Sequence, residues 1–245
     1  DQEDVLWVIG QKGRIFRYDS QHDKFELAYV HPELIRNKFQ AFLDYGYLDK
    51  NDHIWLCYKD TITWYNIRTG TTQHMPKPVD GAISTIEQAD GGHFFIGTGS
   101  GLFCVGIEKG ELKQIPDEVV KSIVTPVHEL YYHTVSKQLF VGSYKEGILI
   151  YDIGKPQKIT PCYAPNNVEV NQIVALNADE LLIATGGKGV YKMNVNTCKS
   201  EPYITADYSS YNGMNGNNIN DIYVDEEERI WLANYPTGIT IRNNR

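Results

Sequence analysis

A short apolar run returns six times along the chain: LWVIG around Trp7, IWLCY around Trp55, FFIGT around Phe95, LFVGS around Phe140, LLIAT around Leu182 and IWLAN around Trp231. The intervals are 48, 40, 45, 42 and 49 residues. Each run is apolar on consecutive residues instead of alternate ones, so a sheet built on it needs cover on both faces. Polar, turn-forming segments precede the runs: DKNDH, ADGGH, HTVSK, NADE and DEEER. A glycine follows at Gly13, Gly101, Gly147, Gly189 and Gly238, with Thr61 the one departure. A tight hairpin needs positive φ there, which costs glycine least.

Each full unit therefore reads as four strands, a to d. Strand a precedes the first turn, as in AISTIEQ, PVHELYY, VNQIVAL and NINDIYV. Strand b is the apolar run, and strand c follows the glycine, as in RIFRYD, LFCVG and ILIYD. Strand d is the weakest, for example FELAYV and ELKQI. Four-stranded sheets that are apolar on both sides cannot bury themselves singly. Standing them radially, each between two neighbours, solves the problem, and the period is that of propeller blades.

The reading is all-β: a β-propeller of about six four-stranded blades in one domain, residues 1–245. The blade units run approximately 1–40, 41–80, 81–125, 126–167, 168–210 and 211–245. Only HPELIRNKFQAFL and PDEVVKSIV suggest short helices, both in d-to-a connectors. The first unit opens at strand b and the last stops after strand c, so both terminal blades are expected to be incomplete. Six blades of about 45 residues would need about 270. A repeat cut in phase, in a chain opening DQEDV without methionine or signal stretch, reads as an excised fragment of a larger propeller region, with a six-bladed ring of incomplete terminal blades as the alternative.

Lys and Arg number 23 against 31 Asp and Glu, a net charge of −8. That balance argues against nucleic acid or anionic lipid as partner, since both require concentrated basic surface. No apolar run approaches the roughly 20 residues that span a bilayer. The four cysteines, Cys57, Cys104, Cys162 and Cys198, form no CxxC pair, so a zinc site is not indicated. Cys57 and Cys104 lie in apolar runs as small hydrophobes. Cys162 and Cys198 lie in polar, turn-like segments, where free thiols are the default and pairing in an oxidising compartment the alternative.

GTGSG (97–101) and GGKG (186–189) lack the GxxxxGK[ST] order and following helix of a phosphate loop, and read as b–c hairpins. HELYYH (128–133) places its histidines five apart on a strand, not four apart on a helix, so it is not read as a metal motif. DKND lacks the glycine and glutamate of an EF-hand loop, and DEEER is a solvated turn. No G-x-S-x-G elbow is present. No catalytic residue, metal ligand or cofactor is assigned.

In a four-stranded meander the b–c turns and d–a connectors share one end of the blades. That end carries YITADYSSYNGMNGNN (203–218), CYAPNN (162–167), YKD, YKEG and YPTG. Tyrosine rings stack on pyranose faces while amides and ammonium groups bond hydroxyls. The candidate ligand-binding residues are accordingly Tyr58, Lys59, Tyr144, Lys145, Tyr208, Tyr211, Asn212 and Tyr235, with Tyr208 and Tyr211 first. Trp7, Trp55 and Trp231 are read as packing between blades.

The order D-x-x-G-x-[LI]-W-[IL]-G-T-x-x-G-[LI]-x-x-[YF]-[DN] resembles the two-component-regulator propeller repeat. ADGGHFFIGTGSGLFCV, NADELLIATGGKGVYKMN and DEEERIWLANYPTGITIRN carry the likeness, and six copies span essentially the whole chain. Only the third copy has IGT, and glycine before strand b appears only at Gly92. The resemblance implies a periplasmic sensor region of a Bacteroides-type hybrid two-component system. It implies a small-molecule ligand, often an oligosaccharide, and adjacent propeller and immunoglobulin-like domains, with the kinase elsewhere in the full-length protein. A homodimer stays open. The competing readings are a propeller enzyme, a lyase or carbohydrate-cleaving protein with His74, His128 and a carboxylate around one metal ion, and a protein-interaction scaffold.

Overall fold

The computed structural model describes residues 5–32, 42–144, 146–153, 159–162, 167–207, 209, 214 and 216–243. Six antiparallel sheets follow one another as the blades of a β-propeller. Blade 1 holds β1 (Trp7–Ile9), β2 (Ile15–Asp19) and β3 (Lys24–Tyr29). Blade 2 holds β4 (Tyr45–Leu48), β5 (His53–Cys57), β6 (Thr61–Asn66) and β7 (Thr72–Pro76). Blade 3 holds β8 (Ile83–Gln88), β9 (Phe94–Thr98), β10 (Gly101–Glu108) and β11 (Glu111–Gln114). Blade 4 holds β12 (Val127–His133), β13 (Gln138–Ser143), β14 (Gly147–Asp152) and β15 (Ile159–Cys162). Blade 5 holds β16 (Val170–Ala175), β17 (Glu180–Thr185), β18 (Val190–Asn194) and β19 (Ser200–Ile204). Blade 6 holds β20 (Ile219–Val224), β21 (Arg229–Asn234) and β22 (Gly238–Asn243). Among the described residues the first and last sheets have three strands, as the phase of the repeat predicts.

The a strands β4, β8, β12, β16 and β20 touch in succession and are the innermost of their sheets. Two-sided burial of strand b is explicit in blade 3. Phe94 and Ile96 join Trp55 and Ile62 of blade 2, whereas Phe95 joins Leu139 and Val141 of blade 4. The five buried clusters fall at the five contacts between successive blades. The two outward faces are different. Leu6, Val8, Phe25 and Leu27 on blade 1, and Tyr223, Ile239 and Ile241 on blade 6, are all exposed.

The glycines predicted at the b–c turns all have positive φ. Gly101 has a second reason to be glycine. A Cβ there would sit 2.2 Å from the carbonyl oxygen of Ile123 in the next connector. Of the two connectors read as helical, the second forms α1 (Glu118–Lys121), capped by Asp117, whose carboxylate accepts from the Val119 and Val120 amides. The first, HPELIRNKFQAFL, falls largely outside the described residues. No described helix is long and apolar enough to cross a membrane.

Candidate functional site at the axial mouth

Strict alternation would send every second side chain of an a strand towards the axis. Four of the five a strands break it at one equivalent place. Their pairing with strand b slips between Ile83 and Thr85, Val127 and Glu129, Val170 and Gln172, and Ile219 and Asp221. The extra residues in these bulges are Ser84, His128, Asn171 and Asn220. A bulge bends its strand and re-aims one side chain. Here all four, with Glu169 and Asn218, line a single cavity of about 450 Å³.

Several of these groups are anchored while retaining spare hydrogen-bonding capacity. Ser84 Oγ donates to the Val127 carbonyl, and Asn171 Nδ2 donates to the Ile219 carbonyl at 2.7 Å. His128 Nδ1 lies 3.1 Å from Glu169 Oε1. The mouth thus presents hydroxyl, amide and imidazole groups beside one carboxylate, a set that both donates and accepts.

Below the mouth, side chains of one a strand take backbone N–H groups of the next. Tyr47 Oη accepts from Gln88 N at 3.1 Å, Glu87 Oε1 from Tyr132 N at 3.3 Å, Glu129 from Ile173 N, and Gln172 Oε1 from Ile222 N. Two of these acceptors are half-buried carboxylates. Burial pushes Glu87 up to about 7, against the opposing pull of its Tyr132 bond and Lys50. Burial, reinforced by the charges of Glu87 and Asp221, pushes Glu129 up to about 8.

The b–c turns around the mouth share a staple. Thr98, Ser143 and Thr185 hold equivalent places at the end of strand b. Their hydroxyl oxygens accept from Ser100 N at 3.0 Å, Glu146 N at 3.1 Å and Lys188 N at 3.0 Å. The hydroxyl residue of the repeat therefore sets turn shape.

The sequence-selected residues divide sharply. Tyr144 and Tyr235 are exposed on the b–c turns of blades 4 and 6. The Tyr235 amide bonds the Asn218 carbonyl at 3.0 Å, which seats that turn beside the mouth. Lys59 lines a separate cavity of about 370 Å³ with Asp44, Asp60, Lys77 and Asp80. Tyr58 is 1% exposed, and its ring packs blade 2 against blade 1 and His31. Lys145, Tyr208, Tyr211 and Asn212 lie outside the described residues.

Trp55 is wholly buried between blades, as expected. Trp7 is half-buried against Tyr65 of blade 2. Trp231 differs from the expectation, since it stands half-buried on the outward face of blade 6, with Arg229 over its ring. His74 bonds Thr63 on the outer part of blade 2, so it does not share a site with His128. Among the described residues no three His, Cys, Asp or Glu side chains are grouped to hold a metal ion.

No family model matches the chain, and neither does any curated protein. Solved structures do. It superposes with a TM-score of 0.75 and 20% identity on the extracellular domain of BT3049 from B. thetaiotaomicron, described as a hybrid two-component system; the match covers 98% of this chain and 32% of that one. The extracellular domain of BT4673 from the same organism, described as a one-component system, gives 0.72 and 19%, with 97% and 31% covered. PorZ, a surface component of the type-IX secretion system of Porphyromonas gingivalis, gives 0.72 and 13%, with 96% and 36% covered. The chain spans about a third of the length of these proteins. At such identities the likeness establishes the propeller fold; two of the three are described as extracellular domains.

Proposed function

We propose that this chain is a ligand-sensing propeller from the extracytoplasmic part of a hybrid two-component sensor, and that it performs no bond chemistry itself. Its ligand is an oligosaccharide bound at the axial mouth, with the exposed turns of Tyr144 and Tyr235 at the rim. The observation that carries this reading is the set of four equivalent bulges, which converge Ser84, His128, Asn171 and Asn220 on one cavity. Amides and hydroxyls satisfy the mixed donor and acceptor pattern of sugar hydroxyls, and tyrosine supplies a stacking face. Likeness to extracellular sensor domains supports a periplasmic setting. The exposed apolar faces of blades 1 and 6 suit contact with the neighbouring propeller and immunoglobulin-like domains of a longer protein. Occupation of the mouth would then bias how those domains sit.

Isothermal titration of a broad glycan panel tests the reading. At least one oligosaccharide should release heat, and His128→Ala and Asn220→Ala should each weaken it roughly 5- to 10-fold, the loss of one or two hydrogen bonds. Silence across the panel, or unchanged affinity in both variants, refutes sugar sensing at this mouth.

A further inference from the structure

We propose that Cys162 and Cys198 form a redox-active pair that closes to a disulfide across the contact between blades 4 and 5. Cys162 ends the outer strand β15 and is 2% exposed within the cluster that joins the two blades. Cys198 belongs to the turn between β18 and β19 and packs on that same cluster. The Cys162 thiol lies 3.6 Å from the Cys198 carbonyl oxygen, so the buried cysteine of blade 4 touches the cysteine of blade 5 directly. Both cysteines therefore belong to one cluster, and a side-chain rotation is all that separates this contact from a sulfur–sulfur approach.

The turn that presents Cys198 is fixed in shape. Asn194 Oδ1 accepts from Asn196 N, Thr197 N and Thr197 Oγ1 at 2.9 to 3.1 Å, and the Cys198 amide returns to the Asn194 carbonyl at 2.9 Å. Cys198 itself is held at φ +56°, a conformation uncommon outside glycine, asparagine and aspartate. It also has a route to solvent. Cys198 borders a surface cavity of about 830 Å³ walled by Pro161, Lys192, Asn194 and Lys199. Cys162 has burial on its side instead, which raises its thiol and disfavours the thiolate.

This asymmetry sets the order of events. The Cys198 thiolate attacks an external disulfide, whether a small-molecule or a protein disulfide, forming a mixed disulfide and releasing one thiol. Cys162 then loses its proton and attacks the Cys198 sulfur, expelling the second thiol. The protein dithiol is oxidised by two electrons and the external disulfide is reduced to two thiols. Cys57 and Cys104 serve as internal controls, since both are buried within other blades and burial holds Cys104 up to about 12.

The whole chain is equilibrated in oxidised and reduced glutathione at an oxidising ratio, then denatured, titrated for free thiols and digested without reductant. The count should fall from four to two, with a peptide linking Cys162 to Cys198, and dithiothreitol should restore it. Closing the loop should raise the melting midpoint by roughly 5–15 °C. That rise should be absent in Cys198→Ser. Four thiols after oxidation, a linkage through Cys57 or Cys104, or a glutathione adduct on Cys198 that never resolves would each overturn the proposal. The Cys162→Ser variant separates the last case, because it should trap the glutathione adduct that the wild-type chain resolves.

Discussion

Trp55→Ala should lower the unfolding free energy by about 4 kcal/mol, the cost of emptying a large aromatic site. For a chain of this size that corresponds to a fall of roughly 8–16 °C in melting midpoint. Trp55 is fully buried, with ring centroids 4.5 Å from Phe94 and 5.0 Å from Trp64. Its Nε1 donates at 2.9 Å to Asp49 Oδ2, a carboxylate only 5% exposed. The other oxygen of Asp49 accepts from the Asn51 and His53 amides and so shapes the a–b turn. Alanine would leave both a void and a carboxylate oxygen without its donor. Trp55→Phe separates these effects, and the lost hydrogen bond should cost about 1–2 kcal/mol.

Blade 6 supplies the control. Trp231 makes the same bond to Asp225, at 2.8 Å, but on an outward face. Trp231→Ala should therefore cost about 1–2 kcal/mol, because less area leaves water on folding. Urea unfolding followed by far-ultraviolet circular dichroism reads all three variants. Equal losses at Trp55 and Trp231 would mean that the turn bond, and not packing between blades, dominates.

The paired Asp and Trp also show where the sequence was legible and where it was not. Spacing and two-sided apolarity fixed the blade order because those properties depend on burial alone, and burial recurs with the repeat. The bulges left a subtler mark. ISTI, VHEL, VNQI and INDI each place two adjacent polar residues between aliphatic ones, at the same point of four a strands. Alternation cannot accommodate that pair, and an extra residue in the strand can. In the sequence His128 therefore reads only as a potential metal ligand, and Ser84, Asn171 and Asn220 read as ordinary strand residues.

Tyr58 fails in the opposite direction. A tyrosine beside a turn reads as exposed, yet its hydroxyl fits against Gly13 of the preceding blade, where a Cβ would lie 1.9 Å from it. Such contacts between units some 45 residues apart leave no local signature. The D-x₅-W spacing of Asp49–Trp55 and Asp225–Trp231 was readable in principle, being a turn carboxylate reaching along its own hairpin.

The largest pH effect should come from the axial carboxylates. Glu87 and Glu129 keep their protons in the folded chain up to about 7 and about 8, well above the ordinary value. Between about pH 4.5 and 8 the unfolded chain has released protons that the native chain still holds, so stability falls as pH rises and levels off above both values. The groups facing them are Tyr45 and Tyr47 from β4, Lys50, Tyr131 from β12 and Asp221 from β20. Among these side chains only Lys50 favours ionisation, beside the backbone amides of Tyr132, Ile173 and Leu130. Both residues are only partly buried, so the combined loss should be on the order of 3 kcal/mol, below the full linkage value. Asp225 works in the reverse sense. Burial opposes its charge, but the Trp231 and Arg229 bonds hold it down to about 2, so its contribution appears above its unfolded value and is lost only in strong acid.

Glu129→Gln should flatten the neutral limb and raise the melting midpoint at pH 8 by several degrees, with little change at pH 5. The substitution has a natural counterpart in the same molecule. Gln172 occupies the equivalent place in blade 5 and accepts the Ile222 amide as Glu129 accepts that of Ile173. A glutamine at 129 therefore keeps the stitch and removes only the titrating charge. Adding Glu87→Gln should remove most of the remaining slope. Melting curves from pH 4 to 9 that keep the wild-type slope in the double variant would show that the axis is wet enough to leave both carboxylates ionised.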